Sequence, residues 1–429
     1  MADFLQTLIV AITIGSLYAL IALGYTMVYG ILKLINFAHS DVVVLGAWIS
    51  LTVAAFLLPR MGIDPSAAPW WAGVMVLLVS MGLCALIGLA IERFAYKPIR
   101  GAPRLNALIT AMGVSLLLQN VGQLQYTIAS GQTPAMSGKI VERAKDPKQI
   151  TLDAPLTISK GTHYVAQITP AGATSAIERT IAAEPGSYKA GDAVAMNDPI
   201  GKSQARGAAI KIVAVSTPLK LPFGKMPAAV PHLVPDKPII EHTFTSTITD
   251  KDGQSHTIDK PLRISLVNVA VLVTALVLMA GLQLLVFHTK LGMAMRAVSY
   301  NTDFAALMGI PIDRVISITF VLGAALAAAA GFLYGQMYGQ LQQSAHYAWV
   351  LLGLKAFVAA VVGGIGNIRG AVVGGFLIAF IEQFGGFYGT TFIWSGASAY
   401  TDVAVFVLLI LVLMVKPTGL FGTTAREKV

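Results

Sequence analysis

Nine runs of mostly apolar residues dominate this sequence, at 5–32, 34–58, 70–91, 105–124, 265–287, 315–338, 349–366, 370–387 and 401–415. A helix needs about 20 such residues to cross the hydrocarbon core of a bilayer. Lipid offers the backbone no hydrogen-bond partners, so runs of this kind are read as helices that satisfy themselves. The chain is 55% hydrophobic and only 12% charged, with a mean hydropathy of +0.71. No ordinary soluble domain has that balance. The expected fold is an all-α polytopic membrane protein of eight or nine transmembrane helices, interrupted once.

The interruption is residues 127–262. They hold 15 of the 30 Lys and Arg, 12 of the 21 Asp and Glu and 13 of the 20 prolines, and no apolar run of membrane length. Stretches 162–169, 210–215 and 242–248 alternate or favour β-branched residues, which predicts short strands separated by Pro and Gly turns. A disordered linker would carry more charge and fewer such residues. The expectation is an inserted, β-rich, extracytoplasmic domain between N-terminal helices (1–126) and C-terminal helices (263–429).

The net charge of +9 raises nucleic acid as a partner, and its placement argues against that. Outside the insert the bases gather at Arg93, Lys97, Arg100 and Arg104, then at Lys290, Arg296 and Arg314, and lastly at Lys416, Arg426 and Lys428. Short loops rich in Lys and Arg stay on the cytoplasmic side. The loop 59–69 carries only Arg60 and reads as external. Alternation from these anchors places the C-terminus inside and the insert outside. The first residues lack a basic stretch, so the first span is expected to be retained rather than cleaved. Cys84 is the only cysteine, which excludes an internal disulfide.

Between two apolar runs, residues 288–310 combine basic Lys290 and Arg296 with apolar Leu291, Met295, Val298, Ala305, Leu307 and Met308. Polar Ser299, Asn301 and Asp303 lie between them. Short amphipathic helices at a membrane face, gripped by a soluble partner, fit this pattern; an ordinary polar loop fits it equally.

Ionisable groups inside spans are costly and become candidates for a transport path. Asn36, His39, Ser40 and Asp41 stand at the step from the first to the second run. Ser40 and Asp41 either cap the next helix or line a path. Gln119 and Asn120 close the fourth run. Lys355 either snorkels to the interface or faces a buried carboxylate such as Glu382. Glycines 323, 331 and 335 recur at multiples of four, and Gly366, Gly370 and Gly374 repeat the device. Such stripes let helix backbones approach closely in lipid.

Enzymatic signatures fail. Gly201-Lys202-Ser203 suggests a phosphate loop, but the glycine required five residues earlier is Met196. His163, His232, His242 and His256 have no zinc-ligand spacing. Neither a metal nor a cofactor is expected, and no catalytic residue is assigned.

Taken in order, GSLYALIALGYTMVYGI at 15–31, INFAH at 35–39, ERFAYKPIR at 92–100, and residues 105–120, 292–309 and 355–375 (with VGGIGNIRGA at 362–371) are specific. In these stretches the chain resembles the permease subunit of branched-chain amino-acid ABC transporters, the LivH-like family, over roughly 1–126 and 263–422. The resemblance implies an importer half in a bacterial inner membrane. Its implied partners are a second homologous permease, two ABC ATPase subunits and a periplasmic binding protein. ATP hydrolysis is then expected on other chains. Residues 288–310 become the ATPase-coupling loop, with Thr289, Gly292, Arg296, Ala297, Asp303 and Gly309 at matching positions. The insert departs from the family, whose connection here is much shorter. Urea or short amides are alternative substrates. An ion-coupled secondary transporter, or a membrane-anchored receptor or enzyme built on the insert, are rival readings.

Overall fold

A computed structural model describes residues 2–65, 68–128, 132–143, 148–158, 163–170, 176–184, 186–197, 199, 208–215, 219–222, 227–235, 237–249, 255–392, 394 and 396–422. Gly201-Lys202-Ser203, Arg426 and Lys428 lie outside these residues. The chain divides into two compact units, Met1–Leu124 with Pro222–Val429, and Gln125–Leu221.

The first unit is a helical bundle. Its helices are α1 (Ala2–Leu32), α2 (His39–Arg60), α3 (Trp70–Ile91), α4 (Arg104–Val121), α5 (Leu266–His288), α6 (Lys290–Tyr300), α7 (Thr302–Leu307), α8 (Ile312–Tyr338), α9 (Tyr347–Gly363), α10 (Ile368–Phe392) and α11 (Thr401–Val415). Among the described residues, seven helices are long and apolar enough to cross a membrane: α1, α2, α3 with its continuation to Ile99, α5, α8, α10, and α11 with the turn before it. The apolar helices Leu105–Val121 and Tyr347–Gly363 are shorter.

Apolar residues surround these helices on every side, so which face is buried is decided by packing rather than by amphipathic pattern. Helices α1, α2 and α8 form the buried heart. Helix α1 packs on α10, α8 and α9, while α8 takes α2 and α3 on its other side. The outer helices turn Leu78, Leu86, Val277, Ile410 and Met414 outward, the surface a hydrocarbon solvent would cover.

Small residues set the closest seams. On α8, Ala324 and Ala327–330 are buried. A Cβ added to Gly331 would overlap Val43 O and Ala47 N of α2, and one added to Gly46 would overlap Ala328 Cα in return. At the α9–α10 seam Gly374 meets Ala359 O, and Gly370 meets Gly363 O. Close approach of this kind gains dispersion contacts where no hydrophobic drive exists between helices. The six glycines read as stripes are therefore not equivalent. Gly323 and Gly335 have their nearest neighbours at 3.5 Å, which is ordinary contact. Gly366 lies outside both helices, in the turn between α9 and α10, with φ +93°.

A long antiparallel ribbon, Pro238–Thr249 with Ser255–Ser265, leads straight into α5. Ser265 ends it and caps that helix, its Oγ accepting from Asn268 N at 3.3 Å. The ribbon reaches α1, where Arg263 N donates to Gln6 Oε1 at 3.1 Å.

The second unit is rich in strands. Its six-stranded antiparallel sheet runs in the order Ile177–Thr180, His163–Thr169, Ala209–Val215, Gln132–Arg143, Gln149–Leu152, Ala193–Ala195. Tyr164, Ala166 and Ile168 point to one side and are buried with Ile150, Leu152, Ile210 and Ile212. That is the period of two expected for 162–169 and 210–215. The third expected strand, 242–248, falls within the ribbon.

Candidate functional site

Three polar clusters interrupt the apolar bundle. The first follows from the break between α1 and α2. Lys33 adopts φ +53°, a conformation costly for a residue with a side chain, and so ends α1. The chain then crosses to α2 with Asn36 buried. Tyr96 OH donates to Asn36 Oδ1 at 2.6 Å. His39 and Asp41 begin α2 and are buried too, at 3% and 5% exposure. The N-cap position is Ala38, with no side-chain cap bond, and Asp41 stands one turn in, as the acidic residue of the first turn. Its Oδ1 accepts from Gln119 Nε2 of α4 at 2.9 Å, and the same amide reaches Ser115 Oγ at 3.3 Å. Asp41 Oδ2 and His39 Nε2 are buried without a hydrogen-bond partner among the described residues. The His39 ring stands edge-on to Tyr25, centroids 4.6 Å apart, and Gly24 is small because that ring occupies the place of a Cβ. Asn120 does not join the cluster, since its Nδ2 donates to Leu116 O of its own helix at 2.7 Å.

Beside this cluster lies a cavity of about 300 Å³. Phe37, Met112, Leu354 and Phe357 make its apolar wall, and Ser40, Ser115 and Gln119 its polar one.

The second cluster ties four helices together. Lys355 Nζ of α9 lies 2.9 Å from Glu382 Oε1 of α10 and 2.7 Å from Asp402 Oδ1 of α11. Tyr18 OH of α1 donates to Glu382 Oε2 at 2.6 Å. Lys355 is paired rather than snorkelling, and Glu382 sits well inside its helix. A cavity of about 450 Å³ adjoins it, with Gln6, Thr7, Glu382, Gln383 and Thr401 in its wall.

The third cluster was not singled out from the sequence. Glu92 is fully buried and pairs with Arg100. Ser317 Oγ of α8 donates to its other oxygen at 2.6 Å. Arg100 and Lys97 also hold Asp313, at 2.5 and 2.7 Å. A π turn, Glu92–Tyr96, followed by a tight turn at Lys97–Ile99, lets the chain fold back for that pairing.

The segment 288–310 forms two capped helices. Thr289 Oγ1 accepts from Gly292 N at 3.0 Å to start α6. Asn301 Oδ1 accepts from Asp303 N and Phe304 N at 2.9 and 3.0 Å to start α7. Gly309 ends the unit with φ +78°. Gly292 is tight against Val286 O, while Met295, Val298 and Ala305 are buried in the bundle and Ala297 packs against its core. Tyr300, Phe304, Leu307 and Met308 are exposed between 67% and 94%. Asp303 is exposed. Arg296 and Arg369 both reach the Phe287 ring, at 5.4 and 5.7 Å from its centroid. Ser299 Oγ donates to Gly30 O at 2.6 Å, which joins α6 to the end of α1. Thr289→Ala removes the α6 cap at a cost of about 1 kcal/mol; the expected result is faster amide exchange confined to 290–300, and unchanged exchange there would deny the cap its role.

The VGGIGNIRGA stretch sits at the same end of the bundle. Gly364 and Gly366 take positive φ. Asn367 Oδ1 accepts from Arg369 N and Gly370 N at 3.0 and 3.2 Å to start α10, and its Nδ2 donates to Phe421 O at 2.9 Å.

The family model for the branched-chain amino acid transport system permease component matches residues 7–144 and 238–414. The chain is 32% identical over 428 residues to the high-affinity branched-chain amino acid transport system permease protein LivH of Escherichia coli (strain K12), covering 99% of this chain and 98% of that protein. The chain belongs to this permease family. It is 31% identical over 427 residues to BraD of Pseudomonas aeruginosa, a permease protein of the same description, with 99% and 98% covered. A shorter likeness, 27% identity over 33% of this chain and 42% of the relative, extends to the fructose import permease protein FruG of Bifidobacterium longum. No solved structure matches. All three polar clusters and the capped pair α6–α7 of this permease lie inside the matched residues, and 145–237 lie outside them.

Four residues that complete these clusters, Glu92, Tyr96, Tyr18 and Asp402, were not among the sequence candidates. Glu92 and Tyr96 stand within ERFAYKPIR, where a lone Glu eight residues before an Arg was the available signal. Among the described residues no group of three or more His, Cys, Asp or Glu is placed to hold a metal ion.

Proposed function

We propose that this chain is one permease half of an ATP-driven ABC importer for branched-chain or other amino acids, in a bacterial inner membrane. A second homologous permease completes the path, two ABC ATPase subunits supply the energy, and a periplasmic binding protein delivers the substrate. The seven long apolar helices, with α4 and α9 as shorter crossings, make nine spans. The insert 127–262 is then periplasmic and the C-terminus cytoplasmic. The observation that carries the reading is the α6–α7 unit, with one face buried in the bundle and the other a compact apolar surface of Tyr300, Phe304, Leu307 and Met308. Thr289, Gly292, Arg296, Ala297, Asp303 and Gly309 shape or flank this surface, and a partner gripping it moves α1 through Ser299 and Gly30.

Within the bundle, Asn36, His39, Asp41 and Gln119 line the path, and Lys355 and Glu382 hold its walls. The tight seams at Gly331, Gly370 and Gly374 are where helices slide during access change. The test is Arg296→Glu, which reverses the charge on the exposed face of α6. Amino-acid uptake is expected to fall at least roughly tenfold, as like charges at a docking surface cost several kcal/mol, with the protein still in the membrane at normal level. Unchanged uptake would remove α6 from coupling.

A further inference from the structure

A short strap, residues 228–235, belongs to the helical unit and lies outside the residues that the family model matches. Ala228 and Ala229 pair with Leu341 and Gln340, just past the end of α8. Val230 N then donates to Gly339 O at 2.9 Å. The residues that follow are irregular backbone among apolar helices, so the protein itself must satisfy their polar groups. One side chain does most of this. Gln336 of α8, 2% exposed, accepts through Oε1 from Leu233 N and Val234 N at 2.8 and 3.3 Å. Its Nε2 donates to Pro231 O at 3.2 Å. Leu233 is buried and rests on Gly73 of α3, while Val230 shares a buried cluster with Trp48 of α2 and Trp349 of α9. The strap therefore joins α2, α3, α8 and α9 at one end of the bundle. Trp48 also walls the crevice that holds Asp41 and Gln119, which puts the strap one side chain away from that polar cluster.

Two features mark the strap as a part that moves. It is held by hydrogen bonds without being interlocked: a Cβ added to Gly73 or Gly335 would meet it at 3.5 Å, ordinary contact, whereas one added to Gly331 would overlap the backbone of α2. Cavities of about 240 and 220 Å³ border it, the first beside His232 and the second beside Val234 and Pro235, with Gln336 in the wall of both. Close-packed interiors seldom leave such space on two sides of one segment. Sliding at the α2–α8 seam is blocked while the strap ties the last turn of α8 to α2 and α3. We propose that residues 228–235 are a gate added at the outer end of the transport path, latched by Gln336 and released in each transport cycle. The gate rests on the importer reading and names the element that lets go before the path opens outward.

The test is a reversible lock. Cys84, the only cysteine of the chain, is changed to Ala, and Gly73→Cys is combined with Leu233→Cys. A Cβ at position 73 stands 3.5 Å from the Cβ of Leu233, within the span that a disulfide bridges without backbone movement. The full-length chain is kept in its membranes with its co-assembled subunits, and bond formation is read by thiol labelling and mass spectrometry. Oxidation with copper phenanthroline is expected to close the bond and abolish leucine uptake, and dithiothreitol to restore it. Each single-cysteine variant should be indifferent to the oxidant. Uptake that continues with the bond formed overturns the gate, and so does a pair that does not oxidise. Should the reduced pair be inactive, hydrogen exchange on the wild-type complex decides: the amides of Leu233 and Val234 are expected to exchange faster with ATP than without it, and equal exchange overturns the gate. Wild-type uptake with the locked pair still active rejects the gate alone and leaves the importer reading standing, while a wild-type chain that supports no amino-acid uptake rejects both.

Discussion

Lys355→Met is expected to destabilise the protein by about 3–5 kcal/mol, the cost of breaking a buried ion pair by removing one partner. Lys355 is the only cation among the described residues that faces Glu382 and Asp402, and its side chain is 11% exposed. Removing it leaves two carboxylates close together in a region of low dielectric, where each must be neutralised or hydrated at the expense of packing. Glu382→Gln is expected to cost less. Lys355 keeps Asp402, and a glutamine amide oxygen still accepts from Tyr18. The order of thermal midpoints in detergent should be wild type, then Glu382→Gln, then Lys355→Met. A Lys355→Met protein as stable as the wild type would mean that the cluster does not hold α1, α9, α10 and α11 together.

Gly331→Val is the second large effect. The first added carbon falls on Val43 O and Ala47 N, and both are backbone atoms of a helix, so no side chain can swing away. Helices α2 and α8 must separate instead. Overpacking of this kind costs roughly 1–3 kcal/mol or more, and here it also shifts the helix that carries His39 and Asp41. Loss of both stability and uptake is expected. Gly323→Ala is the matched control: it sits on the same helix with its nearest neighbour at 3.5 Å and should be tolerated. Equal behaviour of the two variants would show that the α2–α8 seam has slack.

The contrast between Gly331 and Gly323 shows where sequence reading stops. Spacing by four places small residues on one face, and it does not say which of them another backbone touches. Gly366 is the clearer case: the spacing to Gly370 and Gly374 is helical, yet the helix begins only at Ile368 and Gly366 serves a turn. The apolar helices themselves were legible because runs of such length have few alternatives. The strands at His163–Thr169 and Ala209–Val215 were legible from alternation. What pairs across the bundle was not. Lys355 and Asp402 are separated by a whole helix and a connecting segment, and a lysine near a tryptophan is equally consistent with snorkelling. Asp41 beside Ser40 at a helix start resembles a cap in sequence. Only the packing of α4 against α2 shows that Gln119 takes the carboxylate.

This chain is expected to work as a permease half driven by other subunits. The most direct test is purification of the tagged chain from native membranes in mild detergent, with mass spectrometry of its partners. A second permease and two ATPases are expected in stoichiometric amounts, and ATPase recovery is expected to fall when Phe304 and Leu307 on the exposed face of α7 are both changed to Asp. Recovery of this chain alone across several gentle detergents, with uptake intact in the same membranes, would contradict the account and point to a self-sufficient transporter.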